Sequence, residues 1–144
     1  MRYEPRHYGI RELVPRSVFD RFGGDQNIWL IFDGKTLRVA DLVRDRYGKM
    51  LANTWPFGGE YEFRGFRPWG CGVGAELSQH KLGRAIDLDP QEATPEEIRR
   101  DILSGNAPDI AGLITCLEMD ISWLHMDRGN READPETGIQ LVYP

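Results

Sequence analysis

Three side chains in the second half of the chain have the chemistry of a metal site. His80 and Asp87 lie in one short segment, and His125 lies in a second segment further along. Catalytic zinc is commonly held by two imidazoles and one carboxylate, with a fourth position open to water. The residue types therefore predict a metal centre made of His80, Asp87 and His125.

Alternation along two strand-like segments, residues 85–89 and 123–127, places two of these side chains on one side of a sheet. Successive side chains of a strand point to opposite faces. The apolar residues of both segments share one parity and are predicted to face the core: Ile86, Leu88, Leu124 and Met126. Asp87 and His125 then share the other face, and the loop that carries His80 is expected to fold back over it.

Two other interpretations of these histidines stay open at this point. A histidine beside an apolar strand is often a hydrogen-bonded core or surface residue, and the spacing from His80 to Asp87 does not by itself select a metal. His125-Met126-Asp127 is also typical of the start of an iron site with two histidines and one carboxylate. Such a site needs a further histidine, usually downstream, and none follows His125.

Two sequence motifs carry a resemblance to a known family. Residues 78–87 read Ser-x-His-x-x-Gly-x-Ala-x-Asp, and residues 123–127 read Trp-x-His-x-Asp. They resemble the zinc D-alanyl-D-alanine carboxypeptidases, a family that includes phage L-alanyl-D-glutamate endolysins and shares its fold with the Hedgehog signalling domain. Residues 63–67, Phe-Arg-Gly-Phe-Arg, are similar to a segment that precedes the first motif in the family.

The resemblance implies a zinc metallopeptidase, of the carboxypeptidase or endopeptidase type, that acts on bacterial peptidoglycan stem peptides. It implies that three side chains hold Zn²⁺: His80, Asp87 and His125. Arg67 is expected to bind a substrate carboxylate or to steady the developing oxyanion. Ser78 and Gln79 are expected to fix the orientation of the neighbouring histidine.

The general base is the position at which the chain departs from the family. Many members carry an acid three residues before the second zinc histidine, and Ser122 stands there in this chain. Other members of the superfamily place a glutamate at the end of the preceding strand, which matches Glu118. Glu118 is therefore our predicted base, Asp120 the second candidate and Asp127 the third. Trp123 replaces a histidine found two residues before the ligand in some relatives.

Helical periods and strand-like runs predict an α+β fold, with helices early in the chain and an antiparallel sheet late. Helices are predicted over residues 12–22 and 36–47, from the cap at Thr94 and after Pro108. Strands or buried extended runs are predicted at residues 28–32, 49–55, 85–89, 113–119 and 123–127, the last two joined as a hairpin through 120–122. The resemblance adds the expectation of a Hedgehog/DD-peptidase-like fold, a small antiparallel sheet with helices packed on one side.

A glycine-rich stretch, residues 57–74, is predicted to be an irregular loop that passes close to other groups. Three tryptophans are candidates for lining a substrate groove: Trp55, Trp69 and Trp123. His7 lies in a polar segment and is expected at the surface.

Length and composition predict one globular domain, residues 1–144, with its motifs at about 63–127 and a helical cap of unassigned role at 1–60. The net charge of −5 at pH 7 lacks the basic footprint of a nucleic-acid-binding protein. Residues 1–8 are charged and aromatic, so no signal peptide is predicted. No apolar run is long enough to cross a bilayer, and the two cysteines are expected to be free thiols.

These features predict a monomer, cytoplasmic as made, whose partner is a peptidoglycan peptide rather than nucleic acid or membrane. A phage-encoded enzyme that reaches the cell wall after release fits, and so does a cytoplasmic peptidase. Two alternatives stay open: a non-catalytic zinc-binding module, as in the Hedgehog domain, and a phage accessory or structural protein. Ser122 and Trp123 motivate the first alternative, because they replace residues that assist catalysis in relatives.

Overall fold

A computed structural model describes residues 2–144, which form a mixed α+β fold. The helices are α1 (Arg16–Phe22), α2 (Gly34–Tyr47), α3 (Pro95–Leu103) and α4 (Pro108–Ala111). The strands are β1 (Met50–Leu51), β2 (Ala85–Pro90), β3 (Cys116–Glu118), β4 (Leu124–Asp127) and β5 (Gln140–Val142). The predicted α+β class is confirmed. Among these helices, none combines the length and the apolar character that crossing a membrane requires.

The five strands form one sheet in the order β1-β2-β4-β3-β5. β2 pairs antiparallel with β1 and β4, and β3 pairs antiparallel with β4, so the predicted hairpin is present. β5 runs parallel to β3, which makes the sheet mixed and the expectation of a purely antiparallel sheet wrong. Because β5 is a three-residue edge strand, it has too little alternation for its sequence to reveal it.

One face of the sheet packs against the helices and forms the hydrophobic core. The sheet contributes Ile86, Leu88, Leu117, Leu124 and Met126. The helices contribute Val39, Val43, Ile98, Ile102 and Ile110, among others. Burying each such side chain stabilises the fold by about 1.5–3 kcal/mol relative to exposure. Membership of this core therefore confirms the predicted parity of β2 and β4, whose other face carries Asp87 and His125.

The two long helices begin and end with local signals. Asp33 accepts a hydrogen bond from the backbone N–H of Lys35 at the start of α2, and Gly48 ends that helix. Thr94 and Glu97 form the predicted capping box at the start of α3, with reciprocal bonds of 3.1 and 2.8 Å. The predicted helix over residues 36–47 is thus confirmed, with a start two residues earlier.

The N-terminal segment differs from its prediction. Residues 12–22 are not one helix, because a 3₁₀ helix (Ile10–Glu12) is separated from α1 by a turn at residues 13–15. Pro15 precedes α1 in extended conformation. Proline has no N–H to donate and disfavours helical conformation in the residue before it, so one helix cannot run through Val14 and Pro15.

Two of the predicted extended runs also differ from their predictions: one is mostly helical and the other contains a shorter strand. Residues 28–32 lie mostly in a 3₁₀ helix (Gln26–Ile31), where the carboxylate of Asp25 accepts from the N–H of Asn27 at 2.8 Å. A short apolar run cannot be assigned to strand or helix by its periodicity alone. Of residues 49–55, only β1 is strand, and a further 3₁₀ helix (Trp55–Phe57) follows it.

Candidate metal centre

The pairing of β2 with β4 brings two of the three predicted ligands together, Asp87 and His125. Asp87 lies directly opposite His125 in the antiparallel register. The Nδ1 atom of His125 is 2.7 Å from Oδ1 of Asp87. Since both residues occupy the face opposite the core, this contact is a direct consequence of strand parity.

A short 3₁₀ helix (Gln79–Leu82) brings His80 over the same face. The side chain of Ser78 accepts from the backbone N–H of His80 at 3.3 Å, and Gly83 ends the helix in left-handed conformation. A Cβ at Gly83 would overlap the backbone of Ile31, so glycine is required there for both reasons. The rings of His80 and His125 lie 5.3 Å apart between centroids.

The tautomer of His80 is set by a backbone carbonyl. Its Nδ1 lies 2.7 Å from the oxygen of Gly65, and because a carbonyl only accepts, Nδ1 carries the proton. The Nε2 atom is buried and has no hydrogen-bond partner among the described residues, although Oδ2 of Asp87 is 3.2 Å away. A lone pair and a carboxylate facing each other repel, whereas a cation between them binds both. The donor set therefore fits a metal ion.

His125 is oriented by a second carboxylate. Its Nε2 lies 3.1 Å from Oδ2 of Asp127, a buried residue at the end of β4. Asp127 also accepts from the backbone N–H of Gly129 and pairs with the guanidinium of Arg131. This arrangement assigns the proton to Nε2 of His125 and leaves the Nδ1 lone pair for an ion, as in carboxylate–histidine–metal chains.

The electrostatics of the cluster favour a bound cation. Burial would raise the pKa of Asp87, but its close contacts with the imidazoles of His125 and His80 hold that pKa well below its usual range. Burial would lower the pKa of His125, but its contacts with Asp127 and Asp87 raise it to about 9. In the metal-free protein the ring therefore binds a proton at neutral pH, which a metal ion must displace.

Two sets of side chains converge closely enough to share an ion. One is the predicted set, His80, Asp87 and His125, and the other is Cys116, His125 and Asp127. Burial, followed by the charge of Asp127, raises the pKa of the Cys116 thiol to about 12, so it is not a thiolate at neutral pH. Asp127 already neutralises Arg131. The first set is the better metal site, and Asp127 acts by orienting His125.

The three predicted carboxylate bases occupy different environments. Glu118, at the end of β3, lines the same cavity as His80, Asp87 and His125 and is half-buried. Asp120 is exposed in the hairpin turn with φ of 57° and does not line that cavity. Asp127 lines the cavity, but its oxygens are already occupied. The geometry favours Glu118 among the three.

Arg67 lies at the metal centre, where two of its side-chain nitrogens already have partners. Its Nη2 is 3.1 Å from Oδ2 of Asp87, and its Nε donates to the carbonyl of Phe63 at 2.7 Å. The guanidinium therefore neutralises part of the charge of the carboxylate ligand. Its remaining N–H groups are the ones available to a substrate oxygen.

Of the three tryptophans predicted to line a substrate groove, one lies at the site and two lie elsewhere. Trp123 lines the cleft around the metal centre. Trp55 is buried and donates to the carbonyl of Val14, so its proposed place in a substrate groove is wrong. Trp69 is exposed outside the cavity lining and lies beside the ammonium of Lys81.

Two contributors to the site were not predicted, the carbonyl of Gly65 and the guanidinium of Arg131. Ser78, which was predicted to orient His80, contacts only its backbone, whereas the carbonyl of Gly65 orients the ring. That carbonyl is a backbone atom 15 residues before His80, so no side-chain pattern reveals it. Arg131 lies only four residues after Asp127, and Asp127 beside His125 was the signal that pointed to it.

Comparison with known proteins finds no matching family model, no similar curated protein and no similar solved structure. The case for function therefore depends on the geometry of the chain.

Proposed function

We propose that this chain is a zinc-dependent peptidase that cleaves an amide bond in bacterial peptidoglycan stem peptides. We also propose that it has the Hedgehog/DD-peptidase-like fold that its motifs resemble. The observation that carries the proposal is the buried, unpartnered Nε2 of His80, which converges with Asp87 and His125 on an open cleft. Both a phage-encoded and a host-encoded enzyme are consistent with it.

Each polar residue of the centre has a role in this proposal. His80 holds the ion through Nε2, His125 through Nδ1 and Asp87 through its carboxylate. Zn²⁺ held in this way acts as a Lewis acid toward a substrate carbonyl and activates water at neutral pH. Asp127 keeps the proton on Nε2 of His125, so that Nδ1 stays available.

Proton transfer is assigned to Glu118. Its carboxylate lines the cavity of the metal centre and forms no ion pair with a described residue, so it is free to accept a proton. It takes the proton from the attacking water and delivers it to the leaving amine. Arg67 directs its remaining N–H groups toward the negative charge that develops on the substrate oxygen.

The test is amine release from purified peptidoglycan by the protein loaded with one equivalent of zinc. We expect Glu118→Gln to keep the metal and to lower kcat by about 10²- to 10⁴-fold, the usual contribution of a positioned acid–base group. Asp120→Asn is the matched control, because it removes a neighbouring carboxylate outside the cavity. Equal losses in the two variants, or full activity in Glu118→Gln, would contradict the assignment.

A second candidate is a zinc-binding module without catalysis. The ion pair between Arg67 and Asp87 favours it, because part of the charge that would meet a substrate is already neutralised. The same experiment separates the two: stoichiometric zinc with no amine release supports the module. We favour the peptidase because Glu118 lines the cavity without a cationic partner.

A further inference from the structure

Two adjoining cavities meet at the metal centre. One, of about 560 Å³, is lined by Asp87 and by residues 60–64. The second, of about 480 Å³, is lined by all three predicted ligands and by residues between 73 and 80. The two share Arg67, Val73, Asp87 and Trp123. Each is large enough for a small ligand, so a chain crossing the centre finds room on both sides.

Each guanidinium that lines either cavity already makes a contact within the described chain. Arg64 donates to the carbonyl of Ala52 and stacks over the ring of Tyr61, 3.7 Å from its centroid. Arg67 is paired with Asp87, and Arg131 is paired with Asp127. Release of a single terminal residue requires recognition of its carboxylate, which such sites achieve with a charge-assisted hydrogen bond. Among the described residues, the cleft has no guanidinium held ready for that purpose: two are paired with aspartates, and that of Arg64 is hydrogen-bonded to the backbone and stacked on a ring.

The cleft instead has an excess of carboxylates. Its two cavities are lined by six carboxylates and three guanidinium groups. The carboxylates are Glu60, Glu62, Asp87, Asp89, Glu118 and Asp127. Glu60, Glu62 and Asp89 lie on the side of the 560 Å³ cavity, away from the second cavity. A free terminal carboxylate on that side would meet repulsion, whereas an internal amide or an amino group would not.

From the open cleft and its charge we infer that the substrate extends on both sides of the cleaved bond, so that the enzyme is an endopeptidase rather than a carboxypeptidase. This inference rests on the proposed function. It selects internal bonds of stem peptides or of their cross-links. Specificity then comes from both flanks: the acidic one with Glu62, and the one with the exposed Leu77.

A pair of substrates that differ in one group tests the inference. The zinc-loaded protein is given a peptidoglycan stem pentapeptide with a free C-terminal carboxylate, and the same peptide as its C-terminal amide. We expect amidation to leave kcat/KM within about twofold, and mass spectrometry to find at least two residues in each product. A tenfold or larger loss on amidation, with a single amino acid as product, would overturn the inference.

Variants on the two flanks provide a second measurement. We expect Glu62→Gln and Leu77→Ala each to raise KM for a cross-linked peptide dimer at least threefold with little change in kcat. Glu136→Gln, which changes an exposed carboxylate that lines neither cavity, is the control and should change neither. An effect confined to one flank would contradict a substrate that crosses the centre.

Equilibrium binding keeps this test separate from the test of catalysis. If no peptide is cleaved, the peptidase proposal fails, and calorimetry with the zinc-loaded protein and the two pentapeptides still decides the binding mode. Binding of the amide at least as tight as that of the free acid supports a substrate that crosses the cleft. Tenfold tighter binding of the free acid would overturn it.

Discussion

The two shortest histidine–aspartate contacts of the described chain have nearly equal length, and only one of them has the properties of a metal site. His7 lies 2.6 Å from Asp45 near the N-terminus, and His125 lies 2.7 Å from Asp87 on the sheet. The side chains of the first pair are 32% and 37% exposed, and those of the second 14% and 8%. Solvent screens the first pair, whereas burial makes the second dependent on a compensating cation.

The two pairs also differ in what surrounds them. Asp45 is neutralised by Arg6 in an exposed cluster. Asp87 contacts two imidazoles, and one of these, His80, presents a buried nitrogen that has no hydrogen-bond partner among the described residues. The comparison teaches that a short contact between histidine and carboxylate is not by itself evidence of a metal site. Stronger evidence is a buried ligand nitrogen that has no hydrogen-bond partner and faces a carboxylate.

The largest expected effect is on zinc affinity and follows from removal of a metal-ligand side chain. We expect His80→Ala to weaken zinc binding by more than about 100-fold, because removal of groups that merely orient a ligand already costs about 10- to 100-fold. His7→Ala is the matched control and should leave the affinity unchanged. Calorimetric titration of both variants with zinc measures the difference. Zinc affinity in His80→Ala equal to that of the parent would remove the distinction between the two pairs.

The next effect concerns the residue that orients His125. We expect Asp127→Asn to weaken zinc binding by about 10- to 100-fold, since Nε2 loses its charged acceptor and Nδ1 is no longer reserved for the metal. Asp45→Asn, the corresponding change at the exposed pair, should have no effect. Competition with a chromophoric chelator measures both affinities, and similar values for the two variants would contradict the role of Asp127.

The pH dependence of stability should also separate the pairs. The pKa of His125, raised to about 9, contributes stability to the metal-free protein that is fully present below about pH 6.5. That stability, at most about 3 kcal/mol, is lost as pH rises through 9. We therefore expect the denaturation midpoint of the metal-free protein to fall between pH 6.5 and 9, and His125→Gln to reduce that fall.

A control for this titration is the zinc-loaded protein, in which the metal has displaced the proton from His125. Its midpoint should change less over the same interval. A metal-free midpoint that rises with pH in this window would show that the sign of the linkage is wrong.

The smallest expected effect is at the cap of the helix that carries His80. Ser78→Ala should lower the free energy of unfolding by about 1 kcal/mol, as for loss of a helix cap. Because Ser78 contacts only the backbone of His80, zinc affinity should change less than in Asp127→Asn. Chemical denaturation and zinc titration of the same variant test both statements. A larger loss of affinity than in Asp127→Asn would show that Ser78 orients the ring.

The part of the site that depends on strand parity could be predicted from the sequence. Ile86 and Met126 fix which face of β2 and β4 is buried, so Asp87 and His125 had to share the other face. The position of Glu118 follows from the same alternation, since Leu117 faces the core. These are local patterns with a period of two, which a sequence displays directly.

The rest of the site depends on contacts between distant segments. The carbonyl of Gly65 that orients His80 and the ion pair of Arg67 with Asp87 become visible only when the loop is placed on the sheet. The same holds for β5, whose parallel pairing with β3 carries no signal in three residues. In the N-terminal segment, Pro15 was a signal for the helix boundary that the apolar spacing obscured.

The most direct test of the central claim is a crystal structure of the zinc-soaked protein with anomalous diffraction at the zinc edge. We expect one anomalous peak at about 2.0–2.2 Å from Nε2 of His80, from an oxygen of Asp87 and from Nδ1 of His125. A peak at Cys116 and Asp127 instead, or none at either site, would contradict the account.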